Sequence, residues 1–442
     1  MFKDKVVYNR EIVGWAMFDF ANQAYTTLII TVVFGVVFTR VIVGDGPDFR
    51  LGNLLWSVSL CVSYLLSAAV APFCGAVMDY SAAKKKFLFA SYVLTVITTA
   101  CFYFILSGMV FPAMVLIVIS NFSYSIGEAF IAGFLPELGP PDRLGRISGF
   151  GWALGYAGGL CSTGVVLLGL GGISVQNFQS LRLVGPLAAG FFLVGALPTF
   201  LWLKERKISV RSKKIPEYVK IGFQRLAETI GAVKRFRDLA VFLLALFFSM
   251  AGLYIVISFT FIFGDQVIRW SAGVQMTMFI LTQVTAAAGA LFFGNIQDRI
   301  GAKRTFAITL VLWIFSVLLI YFTPGVARVA GAVFSTPVHP QYVFLAVGCS
   351  AGTGLGATQS SARAMVGLLT PKGRHAEFFG FWGMTIKLAA VFGILGLGIL
   401  QMKVGLKAAV LLCLVFFAIA LLTNTAVDEK RGLAAAGCLR KL

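Results

Sequence analysis

Apolar runs of about 20 residues alternate with short polar stretches along almost the whole chain, a pattern that predicts membrane-crossing helices. Twelve such runs fall at roughly 11–39, 52–78, 87–108, 112–136, 146–171, 182–203, 239–263, 273–297, 305–323, 341–369, 376–401 and 406–427. One polar stretch is long: residues 204–238 carry eleven Lys or Arg against four acids and divide the runs six and six. The predicted organisation is an N-terminal half (1–203), a linker (204–238), a C-terminal half (239–427) and a tail (428–442). In the linker Val219, Phe223, Leu226, Ile230 and Val233 recur at helical spacing, while Lys220, Arg225, Glu228 and Lys234 take other faces. That reads as an amphipathic helix lying on the membrane surface, a tether between halves with regulation as the alternative. Pro72, Pro136 and Pro198 interrupt runs, which membrane helices tolerate where neighbours satisfy the freed backbone.

Composition agrees: 59% of the 442 residues are hydrophobic and 12% charged. A soluble domain could not hide so much apolar surface, whereas the bilayer accepts it. With the N-terminus in the cytoplasm, 28 of the 37 Lys and Arg fall on the cytoplasmic side and 7 outside, leaving Arg363 and Lys387 within spans. The positive-inside rule then places both termini in the cytoplasm, in the inner (plasma) membrane if the chain is bacterial. The formal charge of +19 is spread over loops facing anionic lipid, so the partner it implies is the bilayer and not nucleic acid. Lys3, Lys5 and Arg10 precede a first span that is too long for a cleaved signal and contains Asp19.

A loop sequence occurs twice. Gly294-Asn-Ile-Gln-Asp298-Arg299-Ile-Gly301-Ala-Lys303-Arg304 follows the eighth run, and Gly75-Ala-Val-Met-Asp79, followed by Lys84-Lys85-Lys86, follows the second, 219 residues earlier. The offset is almost half the chain, the mark of a membrane protein built from two copies of one unit. The loop is similar to the signature after the second and eighth helices of the major facilitator superfamily. Gly14-Trp15-Ala-Met-Phe-Asp19-Phe-Ala-Asn22, Phe134-Leu-Pro136-Glu137-Leu, Gly149-Phe-Gly-Trp152-Ala-Leu-Gly155-Tyr156-Ala-Gly158-Gly159 and Ala376-Glu377-Phe-Phe-Gly380-Phe resemble its vacuolar effluxer-like branch. That branch includes fungal vacuolar amino-acid exporters linked to autophagy and bacterial members of unknown substrate. Gln23 stands where the branch usually has Ser, the stretch Gly356-Ala-Thr-Gln359-Ser-Ser361-Ala-Arg363 varies its tenth-span pattern, and no Gly-Pro occurs near Gly393.

The resemblance implies an all-α membrane protein with twelve transmembrane helices in two pseudo-symmetric six-helix halves, the major facilitator fold. It also implies that Asp79 and Asp298 accept hydrogen bonds from a facing helix N-terminus and nearby cations, latching the cytoplasmic side. A carboxylate there is favoured by the helix dipole. Gly75, Gly294, Arg299, Gly301, Lys303 and Arg304 complete the gating loops, and Tyr80 replaces the arginine in the first copy. The alternative is a basic loop that only sets topology.

Charges inside spans are expensive unless paired or hydrated and mark a pathway. Asp19 and Glu128 lie roughly 12 Å from the cytoplasmic ends of their spans, Arg363 about 9 Å and Lys387 about 16 Å, at about 1.5 Å per residue. Two acids from the N-half and two bases from the C-half are thus expected in one layer. Asn22 and Gln23 extend the stripe from Asp19, and Asn121, Tyr124 and Ser125 the stripe from Glu128. In the superfamily spans one, four, seven and ten line the cavity, which adds Tyr254, Ser258 and Gln359. Any one of these polar side chains also has a plainer reading as a helix-to-helix hydrogen bond.

Six of the seven cysteines lie in spans as small apolar residues and Cys438 in the tail, so neither a metal site nor a disulfide framework is indicated. His339 and His375 sit near span ends and are expected to be solvated. The glycines Gly145, Gly149, Gly151, Gly155, Gly158 and Gly159, like Gly352, Gly354 and Gly356, read as close helix packing. No Walker motif or nucleophile elbow occurs, so neither an ATP-driven pump nor a membrane hydrolase is supported. The expectation is a monomeric, cofactor-free secondary transporter that moves a small molecule by alternating access, coupled to protons. A small polar metabolite such as an amino acid is the expected cargo. A lipophilic, cationic, organic-acid or metal-complex substrate, facilitated diffusion, and a non-transporting receptor or assembly factor are the alternatives.

Overall fold

The computed structural model describes residues 9–44, 50–170, 177–206 and 215–437; Lys3, Lys5 and Cys438 lie outside them. Among the described residues the only regular structure is helical. In chain order the helices are α1 (Arg10–Val43), α2 (Arg50–Ser81), α3 (Lys84–Phe104), α4 (Val110–Glu137), α5 (Leu144–Leu170) and α6 (Phe178–Trp202). They continue with α7 (Ile215–Gly231), α8 (Arg237–Ile268), α9 (Gly273–Ile300), α10 (Ala302–Phe334), α11 (Pro340–Leu369), α12 (His375–Val404), α13 (Leu406–Thr425) and α14 (Glu429–Ala435). Among the described residues ten are individually long and apolar enough to cross a bilayer. The 27-residue α5 and 30-residue α11 are as long, and glycines and polar residues dilute the hydropathy of α11. Twelve membrane helices result, with α7 as the amphipathic element between the sixth and seventh.

Boundaries follow the apolar runs with one correction. The ninth run was expected to stop at 323, before Pro324, yet α10 continues through that proline to Phe334. Proline removes one backbone donor and crowds one turn, a cost that packing in a membrane bundle absorbs.

The chain clusters into two compact units. The first comprises residues 1–139, 154–231 and 373–384: α1–α4, most of α5, α6, α7 and the first turns of α12. Its core surrounds the later turns of α1, where Tyr25, Phe34, Phe38, Phe102 and Tyr124 are buried. Two stretches of α1, Tyr25–Val32 and Phe38–Val43, are π-helical. The second unit comprises residues 140–153, 232–372 and 385–442: the first turns of α5, then α8–α11, the rest of α12, α13 and α14. Trp313 of α10 anchors it, stacked on Phe417 at 5.3 Å and donating from Nε1 to Thr358 Oγ1 at 2.9 Å.

Within each unit the polar residues of the helices are mostly satisfied locally. Ser67, Thr95, Ser123, Thr285 and Ser316 donate back to the carbonyl four residues earlier, which lets hydroxyls lie in an apolar span at little cost. Large apolar side chains such as Phe111, Leu201 and Met402 are at least three-quarters exposed, the outward face a bilayer would cover.

Candidate functional site

Each loop copy sets its aspartate at the end of one helix and against the start of another. In the second unit Asp298, at the last turn of α9, points at the first turn of α5. Its Oδ1 accepts from the Gly145 N–H at 2.9 Å and its Oδ2 from the Arg146 N–H at 3.1 Å, with the Arg146 Nε 3.3 Å away. The unpaired N–H groups that open any helix here receive a charged acceptor. Glycine makes the approach possible: a Cβ on Gly145 would lie 2.5 Å from Asp298 Oδ1 and 2.6 Å from the Gly294 carbonyl. Gly149 similarly accommodates the Ala290 carbonyl. The loop then turns at Gly301, whose φ of +93° favours glycine. Arg299 and Arg304 are exposed.

In the first unit Asp79, at the end of α2, meets the first turn of α12. Its Oδ2 accepts from the Glu377 N–H at 2.8 Å, and its Oδ1 lies 3.2 Å from Lys84 Nζ. Tyr80 therefore does not leave the carboxylate without a cation, because Lys84 supplies one. Lys84 also bonds Glu137 at 2.6 Å, and His375 Nδ1 lies 3.5 Å from the same carboxylate. His375, expected to be solvated, is only 13% exposed in its side chain, because the turn that presents Glu377 to Asp79 folds it against Glu137. Gly75 lets the Ala376 carbonyl approach α2, and Gly380 does the same for Ala71.

Duplication extends beyond the signature. In the first unit Lys85 N–H donates to Glu205 at 3.2 Å and Lys85 Nζ to the Phe200 and Leu203 carbonyls at the end of α6. In the second unit Ala302 and Lys303 N–H donate to Glu429, at 3.2 and 3.1 Å, and Lys303 Nζ to the Thr425 carbonyl at the end of α13. Each half thus caps its third helix with a carboxylate placed after its sixth. The segment after the last span is anchored further by Arg431, which forks onto Asp238 with two bonds of 2.7 Å.

Of the four charges expected in one layer, Asp19 and Glu128 are half-buried in the first unit, and Arg363 and Lys387 are 2% and 4% exposed in the second. Arg363 donates to Ser148 from Nε (to Oγ, 3.2 Å) and from Nη2 (to the carbonyl, 3.0 Å), and lies over the Trp152 ring. Ser148, in turn, donates to the Ser360 carbonyl at 2.8 Å. In the first unit α1 and α4 share a polar seam: Thr26 donates to Tyr124 at 2.6 Å, and Tyr25 bonds Ser120 at 2.8 Å. Asn121 donates to Ser63 of α2. Asn22 Oδ1 and Ser125 Oγ on the same two helices are buried without a hydrogen-bond partner among the described residues. Gln23, Tyr254 and Gln359 are half-buried and Ser258 is exposed. Sequence reasoning did not single out Ser148, Thr229, Arg374 or Glu429, and it placed Lys84 in a loop and Arg225 on the linker helix without their partners. Their only local signal was a charged or hydroxyl side chain next to a span end or a glycine-rich turn.

Residues 55–437 match the model of the family described as vacuole effluxer Atg22 like. The chain is 26% identical to an uncharacterized MFS-type transporter, YxiO, of Bacillus subtilis over 94% of both chains. It is 22% identical to autophagy-related protein 22 of Coccidioides immitis, covering 75% of this chain and 65% of that longer protein. Among solved structures it is similar to the human organic anion transporter MFSD10, with a TM-score of 0.69 at 16% identity over 95% of this chain and 100% of that one. The proton:xylose symporter XylE matches with a TM-score of 0.68 at 12% identity over 96% of both. These likenesses give the fold: that of the major facilitator superfamily.

Proposed function

The chain belongs to the vacuole effluxer Atg22-like family of major facilitator transporters, and from that premise we propose that it exports a small polar metabolite such as an amino acid, driven by protons. The two six-helix halves, 1–203 and 239–427, are the bodies that alternate, and the paired latches hold the charged end shut in one phase of the cycle. The observation that carries the polar-cargo reading is the seam of α1 and α4. A buried carbonyl on Asn22 and a buried hydroxyl on Ser125, both lacking partners among the described residues, are costly to leave unsatisfied unless a ligand engages them. Asp19 and Glu128 extend that seam with carboxylates inside spans, the group type a proton-coupled carrier needs at its centre. Alternating access with a midplane site matches this placement.

An organic anion is the second reading, favoured by the burial of Arg363 and Lys387. Counterflow in proteoliposomes loaded with amino acids or with organic acids separates the two. Exchange of labelled amino acids, reduced in Asn22→Ala and Ser125→Ala, supports the first reading, and exchange confined to organic acids, reduced in Arg363→Gln, replaces it with the second. A ligand found this way should also raise the melting temperature, since it binds only the folded state.

Orientation is part of the proposal, with both termini cytoplasmic in the plasma membrane of a bacterium. In a cysteine-depleted chain Asn177→Cys should react with an impermeant thiol reagent from outside. Lys213→Cys, at a linker position outside the described residues, should react only after permeabilisation. Labelling of Lys213→Cys in intact cells reverses the topology.

A further inference from the structure

The linker helix α7 presents three distinct faces. Tyr218, Gly222, Arg225 and Thr229 share one, and it packs on α2 and the start of α12. A Cβ on Gly222 would lie 2.8 Å from both Phe73 and Val77, so the glycine sets the closeness of that contact. About a hundred degrees further round, Val219, Phe223 and Ile230, with Val233 just beyond the helix, are 41–60% exposed and wholly apolar. Lys220, Gln224 and Glu228 occupy the remaining side and are exposed, and Lys234, Arg235 and Arg237 follow the helix, also exposed. A helix fixed to protein on one side, apolar on the next and charged on the third is shaped for the corner between a transmembrane bundle and the membrane surface. The neighbouring α2 carries Leu65 and Leu66, nearly half exposed, on its own lipid-facing side.

The inner face does more than pack. Glu377, whose N–H is held by Asp79, has a fully buried carboxylate. Around it Thr229 donates to Oε1, Arg225 Nε lies 3.5 Å from Oε2, and Arg374 Nη1 bonds Thr229 at 2.7 Å. Arg225 also donates to the Gly373 carbonyl at 3.1 Å, and Arg374 reaches Glu228 at 3.3 Å. The first turn of α12, the element Asp79 latches, is therefore clamped by α7.

We propose that α7 is a lipid-anchored lever on the Asp79 latch: its apolar face beds into the adjacent leaflet, anionic headgroups draw its basic flank down, and its inner face then holds Glu377 in the latched position. Lipid charge at that surface becomes a bias on the gate. An anionic leaflet is the occupant the flank selects, because Lys220, Lys234, Arg235 and Arg237 surround the apolar face and each basic residue near such a surface adds attraction.

The test uses the whole chain, one copy per nanodisc, in phosphatidylcholine alone or with phosphatidylglycerol, and reads amide hydrogen exchange across residues 373–380. Exchange should be roughly tenfold slower in the anionic discs. Phe223→Gln with Ile230→Gln, and separately Lys234→Gln with Arg235→Gln, should fold and lose that difference. Thr229→Ala should speed exchange in both lipids. Equal rates in the two lipids for the wild type, or a difference that survives both double substitutions, overturns the proposal. A difference seen only in discs holding two copies overturns it too, assigning the face to self-association. No substrate or flux enters the measurement, so its outcome is independent of the cargo proposed above.

Discussion

Asp298 and Asp79 occupy equivalent places in two copies of one loop, yet they are held in different ways. Asp298 takes two backbone N–H groups and an arginine from the same helix start, so its latch is self-contained in α9 and α5. Asp79 takes one N–H and a lysine, and the helix start it holds is clamped by side chains from α7. Duplication preserved the carboxylate and the glycine four residues before it, Gly75 and Gly294. The partners diverged: Asp298 is held by backbone N–H groups and an arginine of one helix start, whereas the helix start that meets Asp79 is also contacted by an amphipathic helix.

The strongest way to break the comparison is to remove the closeness both latches share. Gly145→Ala puts a methyl against Asp298 Oδ1 and the Gly294 carbonyl, and Gly75→Ala puts one against the Ala376 backbone. Each should penalise its latched state by about 3 kcal/mol, because backbone cannot step aside. Amide exchange at the facing helix start should rise accordingly, and unchanged protection would mean the glycines are not the constraint.

Asp298→Asn should weaken its latch by about 2 kcal/mol, the worth of hydrogen bonds to a charged acceptor. Asp79→Asn should cost its own latch about half as much, since α7 continues to hold Glu377. Equal effects, read as exchange at 145–146 and at 377, would erase the distinction. Arg225→Ala is the mildest change: one long contact to Glu377 and one bond to the Gly373 carbonyl are lost, worth about 1 kcal/mol, while Thr229 still donates to Glu377. That change should loosen residue 377 and leave 145–146 untouched. A response at both places would contradict the separation of the two latches.

Much of this was legible in the chain. Apolar runs marked every span but the ninth to within a few residues, because hydropathy over 20 positions is a local property, and the duplicated Gly-x-x-x-Asp marked both loops. Pro324 misled, since a proline ends a run by local rules while a bundle can carry helix through it. What the pattern could not give was partnership. Glu377 lies 298 residues from Asp79, and Ser148 lies 215 from Arg363. Periodicity says which face a residue takes, never which distant helix meets that face. His375 failed for the same reason: a span end looks solvated until its neighbour Glu377 is known to be held down. Asp19, Glu128, Arg363 and Lys387 were visible as charges in spans, and the local bonding of Arg363 to Ser148 was not.

Transport coupled to protons is the central claim, and accumulation against a pH gradient tests it most directly. In proteoliposomes containing the substrate identified by counterflow, wild-type protein should drive net substrate movement when a pH gradient is imposed. Asp19→Asn should keep substrate exchange and lose the gradient-driven component. Gradient-driven movement at the wild-type level in both Asp19→Asn and Glu128→Gln would contradict the account and leave these carboxylates a structural role alone.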